Sequence, residues 1–127
     1  MLSALNANPL RKRAKKGFRG YPIATIAYYG PDDTKASKVA VGIVTGEGED
    51  VEYMQKWFSD SSDLRRDRSV IVEISDFLKA HNVQSVVLAD SIMGCPHEET
   101  VDYPEGEECP QCPFWRGRDR FSGERIQ

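Results

Sequence analysis

No stretch of this chain approaches the roughly 18 consecutive apolar residues that a membrane-spanning helix needs. Its longest apolar runs, around Val39 to Val44 and Val86 to Ala89, stop far short of that, so no bilayer crossing is expected. Cysteine is scarce: there are three, an odd number, all between Cys95 and Cys112. A disulfide framework would distribute an even number through the fold, so the clustered thiols suit a reducing compartment and metal chemistry instead. Internal repeats at periods of about 20 to 50 residues are also missing, which excludes solenoids and propellers. Hydrophobic residues make up 39% of the 127 positions, and the mean hydropathy is −0.53. The chain therefore suffices for about one domain, with a core small enough to benefit from a metal staple.

Acidic residues are absent before Asp32, whereas Arg11, Lys12, Arg13, Lys15, Lys16 and Arg19 all fall within the first nineteen positions. Setting these six aside leaves eleven basic against twenty acidic residues, so the net charge of −3 hides an acidic body behind a basic opening. Residues 1–20 show no hydrophobic periodicity and read as a flexible basic arm. A secretory signal places its charges before an apolar run. Here they follow Leu2 to Leu10, the reverse order, and the expected address is cytoplasmic. An Arg-rich, acid-free start also suits an organelle transit segment, which makes an organelle matrix the alternative.

Residues 21–90 read as an α/β core, with α+β as the neighbouring class. Ile23 to Tyr29 (IATIAYY) is rich in β-branched and aromatic residues and is stopped by Gly30-Pro31-Asp32-Asp33, which predicts a strand and a turn. Lys38 to Val44 (KVAVGIV) is its expected antiparallel partner. Alternation sends one of Tyr28 and Tyr29 inward and the other outward. Val51, Met54, Trp57 and Phe58 recur at helical spacing behind Glu49, Asp50 and Glu52, predicting a short helix. A second helix is expected through Val70, Ile74, Phe77 and Leu78, capped by Asp67 or Ser69 and stopped near Asn82. Gln84 to Ala89 has the near-continuous apolar character of a central strand covered on both faces. The expected order is ββααβ, a sheet packed by two helices, followed by a metal-binding extension over residues 91–127.

That extension carries the chemistry. Cys95 and His97 form one pair, eleven residues intervene, and Cys109 and Cys112 form another, giving C-x-H-x11-C-x2-C. Zinc takes four such ligands tetrahedrally, commonly as Cys3His. Pro96, Pro110 and Pro113 stiffen the two turns, and fixing φ in advance lowers the entropy lost on capturing an ion. Cysteines can also serve as small buried hydrophobes, but the intervening Glu98, Glu99, Asp102, Glu105, Glu107 and Glu108 make this segment too polar to fold without a staple.

The Cys95-Pro96-His97 knuckle resembles the first loop of Rieske iron-sulfur proteins, and Cys109 matches the cysteine of their second loop. The resemblance implies a 2Fe-2S cluster as the alternative to zinc. Cys112 stands where that family has histidine, the eleven-residue spacing is shorter than the family's, and the likeness spans under twenty residues. His97-Glu98 with Cys109-Pro110-Gln111-Cys112 also resembles the H-x-E and C-x2-C motifs of zinc-dependent nucleotide deaminases, which implies hydrolytic chemistry. In that family the two motifs sit on separate helices with a strand between, which eleven residues containing Pro104 and Gly106 cannot supply.

The tail from Phe114 places Arg116, Arg118 and Arg120 among Phe114, Trp115 and Phe121. Arginine beside aromatics suits stacking and phosphate contact on RNA or single strands. Together with Arg11, Lys12, Arg13, Lys15, Lys16 and Arg19, these arginines are candidate contacts to RNA or DNA. Phe114 and Trp115 are expected to pack over the metal and against the sheet. The function expected from the sequence is a non-enzymatic, zinc-binding adaptor for nucleic acid or a ribonucleoprotein. An iron-sulfur redox protein, a metal-dependent hydrolase and a protein-protein module are the alternatives.

Overall fold

A computed structural model describes residues 9–98, 101–106 and 109–115. Of the candidate residues, Arg116, Arg118 and Arg120 lie outside the described residues. The fold is mixed α/β: helix α1 (Pro9–Lys15), strands β1 (Ile23–Tyr29), β2 (Lys38–Val44) and β3 (Val51–Phe58), helix α2 (Arg68–Ala80), strand β4 (Ser85–Ile92) and a final 3-10 turn at Pro113–Trp115. The order is thus αβββαβ rather than ββααβ. The four strands form one sheet in the order β3-β2-β1-β4.

The hairpin forms as its sequence predicts. β1 and β2 run antiparallel, with Ile23 opposite Val44 and Tyr29 opposite Lys38. Alternation buries Ala24, Ile26 and Tyr28 on one face together with Val39, Val41 and Ile43 of β2. α2 covers this face through Val70, Ile71, Ile74 and Leu78, all members of the main core. Asp67 caps the helix: its carboxylate accepts the Ser69 and Val70 amides at 3.1 and 3.3 Å, satisfying donors that have no partner within the helix. Asn82, at φ 54°, adopts the left-handed conformation that ends helices, and β4 then returns to pair with β1 in parallel.

Three expectations are corrected. Val51–Phe58 is the edge strand β3, antiparallel to β2, not a helix. Its apolar residues divide between the two faces, so strand alternation is masked and the spacing imitates a helix. Trp57 packs its ring edge-on to Phe77 of α2, and Tyr53 lies against His81 at the end of that helix, while Met54 and Phe58 point the other way. β4 is not central: among the described residues it forms the opposite edge of the sheet, and Val87 is 58% exposed. Its apolar run arises because Val86 and Leu88 join the core and α1 lies alongside.

From residue 9 onward the basic opening, expected as a flexible arm, carries helix α1. Pro9 lies in the first described turn of α1, and Leu10 is 1% exposed within the main core. Arg13 donates to the Val83 carbonyl at 2.8 Å. Past the helix, the Arg19 amide donates to Ser85 Oγ, which donates in turn to the Gly20 carbonyl, both at 2.7 Å. Among the described residues no helix is long and apolar enough to cross a membrane.

Candidate metal centre

The metal-ligand candidates sit in a loop docked at the sheet end formed by Tyr29, Lys38 and Phe58. The chain leaves β4 and is held first by backbone: the Met93 amide donates to the Tyr28 carbonyl at 2.7 Å, and the Gly30 amide donates to the Gly94 carbonyl at 2.9 Å. Cys95 follows at once. The His97 amide donates to Cys95 Sγ at 3.3 Å, so the first knuckle turns its own backbone toward its sulfur. The second knuckle is a tight turn in which the Cys112 amide donates to the Cys109 carbonyl at 3.5 Å, and the 3-10 turn that follows is closed by the Trp115 amide donating to the Cys112 carbonyl at 3.2 Å. Trp115 fixes this turn to the sheet, its indole Nε1 donating to the Gly30 carbonyl at 2.7 Å.

All four predicted ligands converge. Cys95, His97, Cys109 and Cys112 offer donor atoms within 4.8 Å of one another, a group that could hold a metal ion. His97 presents Nδ1, which lies 3.2 Å from the sulfur of Cys95 and 3.4 Å from those of Cys109 and Cys112. Cys109 and Cys112 are buried, while Cys95 and His97 are half-buried. No disulfide joins the three thiols. Together with Tyr103 they form a small apolar cluster of their own, and Trp115 touches both this cluster and the main core.

Electrostatics favours a cation here. Burial pushes the Cys112 thiol up, and the neighbouring Cys95 and Cys109 sulfurs push it further. Burial also raises Cys95, outweighing the hydrogen bond from the His97 amide. Cys95 and Cys112 thus resist ionising, and a bound cation would reverse this by stabilising the thiolates it ligates. The donor set therefore fits a thiophilic metal.

The acidic loop is tied to the sheet by lysines that the sequence reading passed over. Glu98 forms an ion pair with Lys56 of β3 and lies 3.7 Å from Lys38 Nζ. The hydrogen bond from Lys56, with the Lys38 charge next in effect, holds the Glu98 carboxyl below its ordinary value. Lys38 itself is 5% exposed and donates to the Pro96 carbonyl at 3.0 Å. A lysine opening a strand carries no sequence signal of burial; only the register reveals it.

The basic candidates are distributed otherwise than as one free arm. Lys12, Lys15 and Lys16 are exposed on and just after α1, as is Arg19, whereas Arg13 is half-buried and bonded to Val83. Trp115 packs against the main core and the cysteine cluster, with Phe114 edge-on to it at 4.9 Å. No protein-family model, curated protein or solved structure matches this chain.

Proposed function

We propose that this is a small, non-enzymatic zinc-binding domain in which Cys95, His97, Cys109 and Cys112 hold a single structural zinc ion. One observation carries the reading: three sulfurs approach one imidazole nitrogen at nearly equal distances of 3.2 to 3.4 Å. On one tetrahedral zinc, with bonds of about 2.3 Å to sulfur and 2.0 to 2.1 Å to nitrogen, each nitrogen-sulfur edge is about 3.5 Å. A 2Fe-2S cluster divides its four ligands between two irons, which would bring His97 close to one sulfur rather than three. Four protein donors also leave no open position for water or substrate, the hallmark of a structural zinc site rather than a hydrolytic one. Elemental analysis and a visible spectrum of protein purified without added metal test this. One equivalent of zinc in a colourless sample is the expected result; stoichiometric iron with visible absorption would refute it.

The partner we propose is single-stranded nucleic acid, met by the exposed Lys12, Lys15, Lys16 and Arg19. Four phosphate contacts on a single strand predict affinity falling about fifty-fold between 50 and 200 mM salt. Fluorescence anisotropy with a labelled RNA oligonucleotide measures it, and alanine at Lys12, Lys15 and Lys16 should flatten the salt dependence. Binding that does not respond to salt would exclude this partner.

A further inference from the structure

A buried lysine needs a reason. Removing an ammonium group from water is costly unless hydrogen bonds and opposite charge compensate, yet Lys38 stands at the start of β2 almost wholly enclosed, at 5% exposed. The sheet register supplies the enclosure. Lys38 lies opposite Tyr29 on β1 and opposite Phe58 on β3, and cross-strand partners share a face. The three form one row, and the lysine extends between two rings, its Nζ 5.5 Å from the centre of Tyr29 and 5.9 Å from that of Phe58. Such positions over aromatic faces attract a cation. At the end of this sleeve Nζ meets the Pro96 carbonyl at 3.0 Å, with Glu98 Oε1 at 3.7 Å.

The acceptor is what gives the arrangement meaning. Pro96 is the single residue between the ligands Cys95 and His97, so its peptide carbonyl reports the orientation of the whole knuckle. We infer that Lys38 is a positioning residue for the metal centre: from the middle of the sheet it grips the Pro96 carbonyl and holds Cys95 and His97 in ligating geometry before an ion arrives. The inference rests on the metal reading above and deepens it. Groups that orient ligands in this way typically contribute 10- to 100-fold to metal affinity. The ion pair with Glu98 is secondary, because the Glu98 side chain is 43% exposed and such pairs contribute little in water.

The test is zinc affinity of the full chain, measured by competition with a chelator of known affinity, for the unsubstituted protein, Lys38→Met and Glu98→Gln. Lys38→Met keeps the stem between the rings and removes the donor; it should weaken zinc binding about 10- to 100-fold, while Glu98→Gln changes it less than about threefold. A role confined to fold stability would lower the unfolding midpoints of apo and zinc-loaded protein equally and leave affinity untouched, so both midpoints are recorded. Should Lys38→Met fail to fold, Lys38→Leu, an apolar side chain that also lacks a donor, is the second variant. Affinity within about twofold of the unsubstituted protein, roughly 0.4 kcal/mol, in whichever variant folds would overturn the inference. So would an equal loss in Glu98→Gln, which would assign the effect to the carboxylate. Failure of the unsubstituted protein to take up zinc would overturn the metal reading itself, and is seen in the first titration.

Discussion

Cys112→Ser probes both the metal centre and its separation from the sheet. Cys112 is 2% exposed, with its sulfur 3.4 Å from His97 Nδ1, and a serine hydroxyl does not replace a thiolate as a zinc ligand. Structural zinc in small peptides contributes an apparent binding energy of about 10 to 16 kcal/mol at pH 7. Without the ion, three hydrogen bonds to backbone carbonyls still tether the loop, Lys38 to Pro96, Trp115 to Gly30 and Gly30 to Gly94, while the partly exposed Lys56–Glu98 pair adds little. At about 1 kcal/mol each they contribute about 3 kcal/mol. Ordering the backbone costs roughly 1 to 2 kcal/mol per residue, and the segment from Cys95 to Trp115 has too little apolar surface to offset that. The loop should open.

The sheet should survive, because none of the four ligands belongs to the main core and, among the described residues, only Trp115 joins the two clusters. Losing about 3 kcal/mol of docking at roughly 4 °C per kcal/mol predicts a main unfolding transition about 12 °C lower, still cooperative. The assays are elemental analysis, limited proteolysis mapped by mass spectrometry, and hydrogen exchange. New cleavage should fall between positions 98 and 112 while β1 and β2 keep their amide protection. Zinc retained at one equivalent in Cys112→Ser would mean that the ligand set is wrong. Loss of protection across the sheet would mean that the metal organises the whole domain and that the two clusters are not separate units.

Three further outcomes are expected from the sheet and helix. Asp67→Ala removes the cap of α2 and should cost about 1 kcal/mol, a fall of about 4 °C in Tm by calorimetry; an unchanged Tm would mean that the cap contributes nothing. The acid limb of stability follows from the same region. The Ser69 hydroxyl bond holds Asp67 below its ordinary value of 3.8. Burial would raise Asp63, but hydrogen bonds from Arg65 and the Ala36 amide, with the Arg65 charge, outweigh it and lower that carboxyl also. A depressed carboxyl stabilises fully above its unfolded value and loses that contribution as pH falls through the folded one. Stability should therefore drop below about pH 4, and Asp63→Asn with Asp67→Ala should flatten that drop in acid titrations followed by circular dichroism. Gly30→Ala should be the most damaging small change outside the ligands: a Cβ there would lie 2.1 Å from the Lys35 carbonyl oxygen, a backbone atom. Overpacking of this kind costs on the order of 3 kcal/mol, and a Tm within about 2 °C of the unsubstituted protein would show that the turn between β1 and β2 relaxes freely.

Where side-chain chemistry or strong periodicity speaks for itself, the sequence is a good guide. The Cys3His convergence follows from ligand types and two stiff turns. The β1–β2 hairpin follows from β-branched runs around a turn, and α2 from an apolar stripe behind an aspartate cap. β3 is misread because an edge strand buries little, leaving only Trp57 enclosed and no clean period of two. α1 is missed because seven residues offer a single apolar anchor, Leu10, among basic neighbours. Lys38 is invisible for a different reason: its burial depends on Tyr29 and Phe58 arriving from two other strands, a fact of register that no local window contains.

The parallel pairing of β1 with β4 has a temporal consequence. As a chain leaves the ribosome N-terminus first, β1 can find β2 early, but its other edge stays open until residues 85–92 emerge. The zinc-ligand candidates trail immediately behind. On the proposed zinc reading, the four strands can therefore pair before the ligand set Cys95 to Cys112 is complete, so closing the clasp would be the last step of assembly.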